Sequence, residues 1–442
     1  MAEKTTSGGR QPPAGGGVTA RPNRPRHTGR YLLLFRDGIG RTGLPALRTV
    51  GGLRVGVSSD FEGKVRTADL VDGEALLFER LGAALVHSTP DRLRTLGASS
   101  DAAVLTTELE RFVYATGPSV LQVPSAVVQG PDRPSGSALS PTVQDAPPTA
   151  PPPPGTSIDE STATWGLQFT RVLPSQFSGR GVQIAVLDTG LDLQHPDFVT
   201  RTVVSESFVT GEAVMDGHGH GTFCVGVACG PRQPTQLPRY GVASDAALYV
   251  GKVLGDDGSG TDGNILAGMD WALRSGCAIV SMSLGSPVDP GEPYSQIFEQ
   301  VAQRALAAGT LMIAAAGNDS SRPDDIAPVN HPANCPSIMA IGAIDVNRQI
   351  AVFSCGGINP DGGEVDLAAP GVAVLSAWPR PTLYQTDSGT SMATPYASGI
   401  AALLAEANPS ARGAALQALL LQGALALALP ARDAGAGLVQ AP

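Results

Sequence analysis

The stretch Gly389-Thr390-Ser391-Met392-Ala393-Thr394-Pro395 sets a serine among small residues just ahead of the apolar run 400–404. This pattern predicts a tight loop that delivers Ser391 to the first turn of a buried helix. Pro395 suits that turn, where backbone N–H groups lack intrahelical partners. The positive field at a helix start favours an alkoxide or oxyanion. A serine by itself is a weak nucleophile and needs a base and an orienting acid. Asp188, in Val186-Leu187-Asp188-Thr189-Gly190, ends an apolar run. His220, in Asp216-Gly217-His218-Gly219-His220-Gly221-Thr222, opens a helical pattern after a glycine-rich loop. Asn318 closes Ala314-Ala315-Ala316-Gly317-Asn318. Singly these are a turn aspartate, a surface histidine and a turn asparagine. Together they supply what acyl transfer to water requires. Ser391 attacks, an imidazole carries its proton, and Asp188 holds that imidazole in one tautomer. Asn318 and the Ser391 backbone N–H receive the oxyanion.

Positioning these groups takes strands alternating with helices. From residue 158 the pattern predicts strands at 182–187, 246–253, 278–284, 310–315, 338–341, 365–368 and 372–375. Helices fall at 220–228, 262–274, 296–308, 391–406 and 412–424. That alternation implies an α/β fold, a mainly parallel sheet with helices on both faces. Working residues in such sheets lie beyond the carboxyl ends of strands, where Asp188, Gly285 and Asn318 fall. A small α+β domain is expected over 30–114, with strands at 31–35, 102–107 and 111–114, a helix over 73–85 and a helical turn at 91–96. Its Gly38-Ile39-Gly40-Arg41-Thr42-Gly43 has dinucleotide-site spacing, but Pro45 and Gly51-Gly52 interrupt the helix such a site needs, so it reads as a plain loop. Residues 1–29 form a disordered basic tail. The Pro-rich stretch 115–157 is an extended linker to the unit 158–442.

The 442 residues carry a formal net charge of −10. Residues 1–30 oppose this with Lys4, Arg10, Arg21, Arg24, Arg26 and Arg30 against Glu3. This basic stretch has no interleaved aromatics, so a solvated tail is favoured over a nucleic-acid arm. No run reaches transmembrane length. The early apolar run 31–35 is short and late for a secretory leader, which favours the cytoplasm, with secretion kept open. Five cysteines and no CxxC suggest a mostly reduced set. Cys335 with Cys355 is the pairing open to an exported chain.

The order Asp, His, Ser, carried by Asp188-Thr189-Gly190, His220-Gly221-Thr222 and 389–395, identifies residues 165–441 as resembling the subtilisin-like serine proteases, with a proteinase K-like loop at 216–222. The resemblance implies Asp188 as orienting acid, His220 as base, Ser391 as nucleophile and Asn318 as oxyanion donor. His220 precedes Gly-Thr, as the family's base does; His218 does not. It implies that Ser283-Leu284-Gly285 and Gly258-Ser259-Gly260 hold an extended peptide between them, with Ala315 and Gly317 lining the P1 pocket (P1 being the residue on the acyl side of the cut bond). Asp319, Asp324 and Asp325 at the pocket mouth then suggest a basic or polar P1. No cofactor is required. Pro336, Ile338 and Asp366 resemble a calcium position. Phe223 and Tyr396 stand where the family often has histidine. The unit 30–114 resembles an inhibitory propeptide, an intramolecular partner removed by autoprocessing within 115–164. Expected partners are polypeptide substrates, with no nucleic acid and no membrane. The alternatives are a catalytically silent protease fold used for binding and a metalloenzyme on Asp216, His218 and His220. An esterase is disfavoured, because Ser391 lacks the second glycine of GxSxG. A neutral imidazole is needed as base, so activity is expected from neutral to alkaline pH.

Overall fold

The computed structural model describes residues 26–36, 41, 43–60, 67, 69–98, 104–116, 158–236 and 238–442. Most of the expected basic tail, and the expected linker from residue 117 onward, lie outside these residues.

The first unit contains β1 (His27–Phe35), α1 (Gly43–Pro45), a π-helical turn Ala46–Val50, β2 (Arg54–Val57), β3 (Glu74–Phe78), β4 (Ala83–His87), α2 (Pro90–Ala98) and β5 (Val104–Ala115). The strands lie in the order β5-β1-β4-β3-β2. β1 begins at His27, so the last residues assigned to the tail belong to the sheet. Arg26 pairs with Asp289 at 2.8 Å. The helix expected over 73–85 is instead the β3–β4 hairpin, turned by residues 79–82 with Gly82 at φ 63°. The cause is double burial. Ala75, Leu77, Ala84 and Val86 pack with Leu93 and Leu96 of α2, whereas Leu76, Phe78, Ala83 and Leu85 pack against the second half of the chain. A strand covered on both faces reads as an unbroken apolar run, and periodicity does not separate it from a buried helix. The strands expected at 102–107 and 111–114 are one strand, β5. Residues 37–40 and 42 of the glycine-rich loop lie outside the described residues. A Cβ on Gly43 would meet the Phe35 ring at 2.7 Å.

The second half contains α3 (Trp165–Phe169), β6 (Gln183–Asp188), β7 (Val203–Ser207), α4 (His220–Cys229), β8 (Ala247–Lys252), β9 (Ser259–Thr261), α5 (Asp262–Arg274), β10 (Ile279–Met282), β11 (Leu284–Gly285), α6 (Gln296–Ala307), β12 (Leu311–Ala315), β13 (Met339–Ile344), β14 (Leu367–Pro370), β15 (Val374–Ala377), β16 (Tyr384–Asp387), α7 (Thr390–Ala407) and α8 (Ala414–Gly423). Seven strands form one sheet in the order β14-β13-β12-β10-β6-β8-β7, and every neighbouring pair is parallel. Ile184, Val186, Ile313 and Ile341 face the core under α4 and α7. Ala185, Leu187, Met312 and Ala340 face the opposite core, under α5 and α6. β7, of sequence VVSES, was not expected, because it has no apolar run. The hairpin β15–β16 ends two residues before Gly389.

The two halves share a sheet. The C-terminal end of β5 pairs antiparallel with β9 on one side (Val113 opposite Gly260) and with β11 on the other (Ala115 opposite Leu284). Behind it, Leu32, Leu34, Leu76, Phe78, Leu85 and Val113 bury against residues of α5 and α6.

Candidate active site

Three loops at the carboxyl ends of β6, β12 and β16 and the start of α4 converge. Asp188 is the last residue of β6, with its side chain fully buried. Its Oδ1 accepts the Thr189 N–H at 2.7 Å and lies 2.7 Å from His220 Nδ1. His220 is the first residue of α4. The preceding loop is fixed by Asp216, whose Oδ1 accepts Thr189 Oγ1–H, His218 N–H and Gly219 N–H, and whose Oδ2 accepts Thr222 N–H and Oγ1–H. Gly219 takes φ 109° with the Trp378 ring against it, which no side chain there would permit. Of the two histidines, the structure therefore joins His220, not His218, to Asp188. His218 is exposed at a ring-centroid distance of 6.2 Å from His220.

Burial pulls the His220 pKa down, but the Asp188 carboxylate, with a contribution from the Cys224 side, outweighs it. The result lies well above the ordinary histidine value. Cys224 Sγ sits 3.8 Å from His220 Nδ1 and 3.6 Å from the Ser391 carbonyl. Burial pushes its thiol up to about 11, so it stays protonated at neutral pH. All five cysteines are free, Cys335 and Cys355 included. Among the described residues, the one cluster of three side chains with metal-ligand spacing is Asp188, His220 and Cys224, not Asp216, His218 and His220.

Ser391 lies in the first turn of α7, buried. Its Oγ donates to the Thr116 carbonyl at 2.7 Å, with the Ser283 carbonyl at 3.1 Å, and the Thr116 hydroxyl also meets it. No hydrogen-bond partner meets His220 Nε2 among the described residues. Ser391 and His220 are thus brought to one site, both within reach of the Cys224 sulfur, but are not hydrogen-bonded to each other. Asn318 Nδ2 donates to the same Thr116 carbonyl at 2.6 Å. Its Oδ1 accepts both the N–H and the hydroxyl of Thr390 at 2.9 Å, and this network assigns the amide orientation. Thr390 was missed in the sequence because threonine in a small-residue run carries no signal of its own.

The chain's own residues 112–116 lie in the cleft. Ala115 N–H donates to the Gly258 carbonyl at 2.9 Å, and Tyr114 pairs with Ser259. Thr116 N–H reaches the Ser283 carbonyl at 3.4 Å, and Gly285 pairs with Tyr114. Ser283 Oγ donates to the Ser391 carbonyl at 2.8 Å. Ala315 and Gly317 stand on the β12 side, both buried. Asp319 is engaged by Asn330 Nδ2 at 2.7 Å, and Asp324 and Asp325 occupy the exposed turn beyond it. Phe223 packs edge-on to Trp378, and Tyr396 fills the space above Gly166. Asp366 accepts the Ala340 N–H at 2.7 Å and joins no cluster of three ligating side chains among the described residues.

The sequence profile described as "Subtilase family" matches residues 179–437, more than half of the chain. The chain belongs to the subtilase family. It is a serine endopeptidase of polypeptide substrates. Subtilisin DY of Bacillus licheniformis is 36% identical over 245 residues, covering 55% of this chain and 84% of that protein. Subtilisin Savinase of Lederbergia lenta is 38% identical over 250 residues and 85% of its own length. M-protease of Shouchella clausii (strain KSM-K16) is 38% identical over 250 residues and 60% of its length. Among solved structures, Sphericase superposes with a TM-score of 0.52 at 32% identity, covering 60% of this chain and 93% of its own. The parallel sheet of this subtilase, with its covering helices, is therefore the subtilisin-like fold. The profile begins after residues 26–116, so the strand in the cleft comes from outside the matched region. No helix among the described residues is long and apolar enough to cross a membrane.

Proposed function

We propose that this subtilase is made as a precursor in which the unit ending at Thr116 is both first substrate and intramolecular inhibitor, and that cleavage falls between Thr116 and Gly117. The observation that carries this reading is the Thr116 carbonyl, held at once by Asn318 Nδ2 and Ser391 Oγ, with residues 112–114 paired to β9 and 114–115 to β11 as an added strand.

In this reading Ser391 turns toward His220, gives its proton to Nε2, and its Oγ bonds to the Thr116 carbonyl carbon. The negative charge moves to the carbonyl oxygen, where Asn318 stabilises it. Asp188 keeps Nδ1 protonated and supports the imidazolium. His220 then returns the proton to the nitrogen of residue 117. The C–N bond breaks, and Thr116 remains as an ester on Ser391. Water, deprotonated by His220, opens that ester. One amide and one water become a carboxylate and an amine, and the enzyme is restored. Other polypeptides enter the same two-sided slot in extended form.

The test is N-terminal sequencing of the purified chain together with fluorophosphonate labelling. A new terminus at residue 117 and labelling lost in Ser391→Ala support the reading. A labelled chain that stays intact removes the processing step, and an unlabelled one returns the silent-fold alternative. For calcium we propose only the Asp366 position, with the carbonyls of Pro336 and Ile338. No catalytic step is assigned to it.

A further inference from the structure

The glycines on either side of the P1 pocket face one side chain. A Cβ on Gly285 would stand 3.6 Å from Thr116 Cγ2 and 3.3 Å from Asn330 Cβ. On the β12 side, a Cβ on Gly317 would stand 2.6 Å from both Cγ and Nδ2 of Asn330. The Asn330 side chain therefore runs from Gly285 to Gly317, and Gly285 also faces the methyl of Thr116, the residue held in the cleft. It is 2% exposed. Its Nδ2 donates to Asp319 Oδ2 at 2.7 Å, its N–H to the Ala316 carbonyl at 2.9 Å, and its carbonyl accepts the Asn334 N–H at 2.9 Å. The side chain is held at its tip and its backbone on both sides.

We propose that Asn330 is a specificity-determining residue: an amide plug, locked by Asp319, that shortens the P1 pocket so that the enzyme cuts after small side chains such as Thr, Ser, Ala and Val and discriminates against Phe, Leu, Lys and Arg. This rests on Thr116 being the P1 residue of the proposed cut. A long P1 side chain has to displace the amide and leave a buried hydrogen-bonding group without its partner, which costs about tenfold to a hundredfold in rate. The Asp319 carboxylate, expected from the sequence to favour a basic or polar P1 residue, instead holds the plug.

The experiment uses the full chain. Thr116→Phe is expected to slow self-cleavage at 116–117 at least tenfold, and Asn330→Gly added to it is expected to restore most of the rate. Asn330→Gly alone, still cutting itself, shows that the variant folds; Asn330→Ser takes its place if it does not. A Thr116→Phe chain that cuts as fast as the parent overturns the plug. So does a double variant as slow as Thr116→Phe while Asn330→Gly remains active. If the parent chain does not cut at 116–117, the processing reading fails, and peptides differing only at P1 decide the plug on their own. Preference for Ala over Phe, lost in Asn330→Gly, upholds it, and equal cleavage after both sinks it.

Discussion

His220 and Asn318 are the residues whose surroundings most constrain the chemistry. The His220 pKa is raised chiefly by Asp188, against burial. The base works only when deprotonated, so the rate rises with pH through that raised value and activity belongs on the neutral-to-alkaline side. Asp188→Asn removes the carboxylate that raises it. The acid limb of the kcat/KM profile is then expected to move to lower pH, while kcat falls roughly 10⁴-fold, as when the acid of such a triad is neutralised. A limb that does not move assigns the raised pKa to another neighbour. Asn318→Ala is expected to cost about 10²–10³ in kcat with a small change in KM, the loss known for the equivalent donor in subtilisin. Thr390→Val, which removes the hydroxyl donor to Asn318 Oδ1 and keeps the backbone N–H, is expected to give a smaller loss of the same kind. The four candidate groups were legible because each stands in a short motif. Thr116 was not: nothing in its neighbourhood marks a threonine near the end of an amphipathic strand as the occupant of a cleft.

At the scale of elements, β5 does two jobs on one strand. Its end fills the cleft, and its middle presents two carboxylates to helix N-termini. Glu108 accepts the Gln296 and Ile297 N–H groups and the Ser295 hydroxyl at the start of α6. Glu110 accepts the Gly263 N–H at the start of α5 while pairing with Arg30. Carboxylates at helix starts meet unpaired donors and the positive end of the dipole. On the proposed processing, Glu108→Ala is expected to weaken the hold of the cleaved unit by about 1 kcal/mol, roughly fivefold in inhibition constant. Glu110→Ala is expected to cost more, because Arg30 is left with little exposure and no anion. Peptide hydrolysis by the processed mixture reads both; unchanged inhibition in both variants would show that apolar packing alone holds the unit. The mistaken helix at 73–85 belongs to this scale as well. Leu76, Phe78 and Leu85 are apolar because the second half of the chain covers them, a partner that local periodicity does not reveal.

Over the whole molecule, the buried carboxyl of Asp366 links pH to stability. Burial pushes it up to about 7; the Ala340 N–H opposes this and the charge of Glu364 adds to it. Its unfolded value is near 3.9. Between these values the folded chain holds a proton that the unfolded chain has lost. Stability contributed here therefore falls as pH rises from about 4 to 7. Asp366→Asn is expected to raise Tm at pH 8 and to flatten that dependence. If calcium binds at Asp366, adding it at pH 8 raises the Tm of the parent chain and not of Asp366→Asn. Equal curves with and without a chelator remove the calcium proposal.

The sequence alone determined the reaction class, because a nucleophile, base, acid and oxyanion donor each need a particular side chain in a particular local setting, and local setting is what a motif records. It also marked six of the seven parallel strands, whose burial on both faces makes them continuously apolar, whereas the edge strand β7 carries no such run. Tertiary structure decided which histidine meets Asp188, which stretch fills the cleft, and that Asn330 stands between Gly285 and Gly317. Those outcomes depend on residues far apart along the chain becoming neighbours, and the free energy of such contacts is carried by neither partner's local sequence.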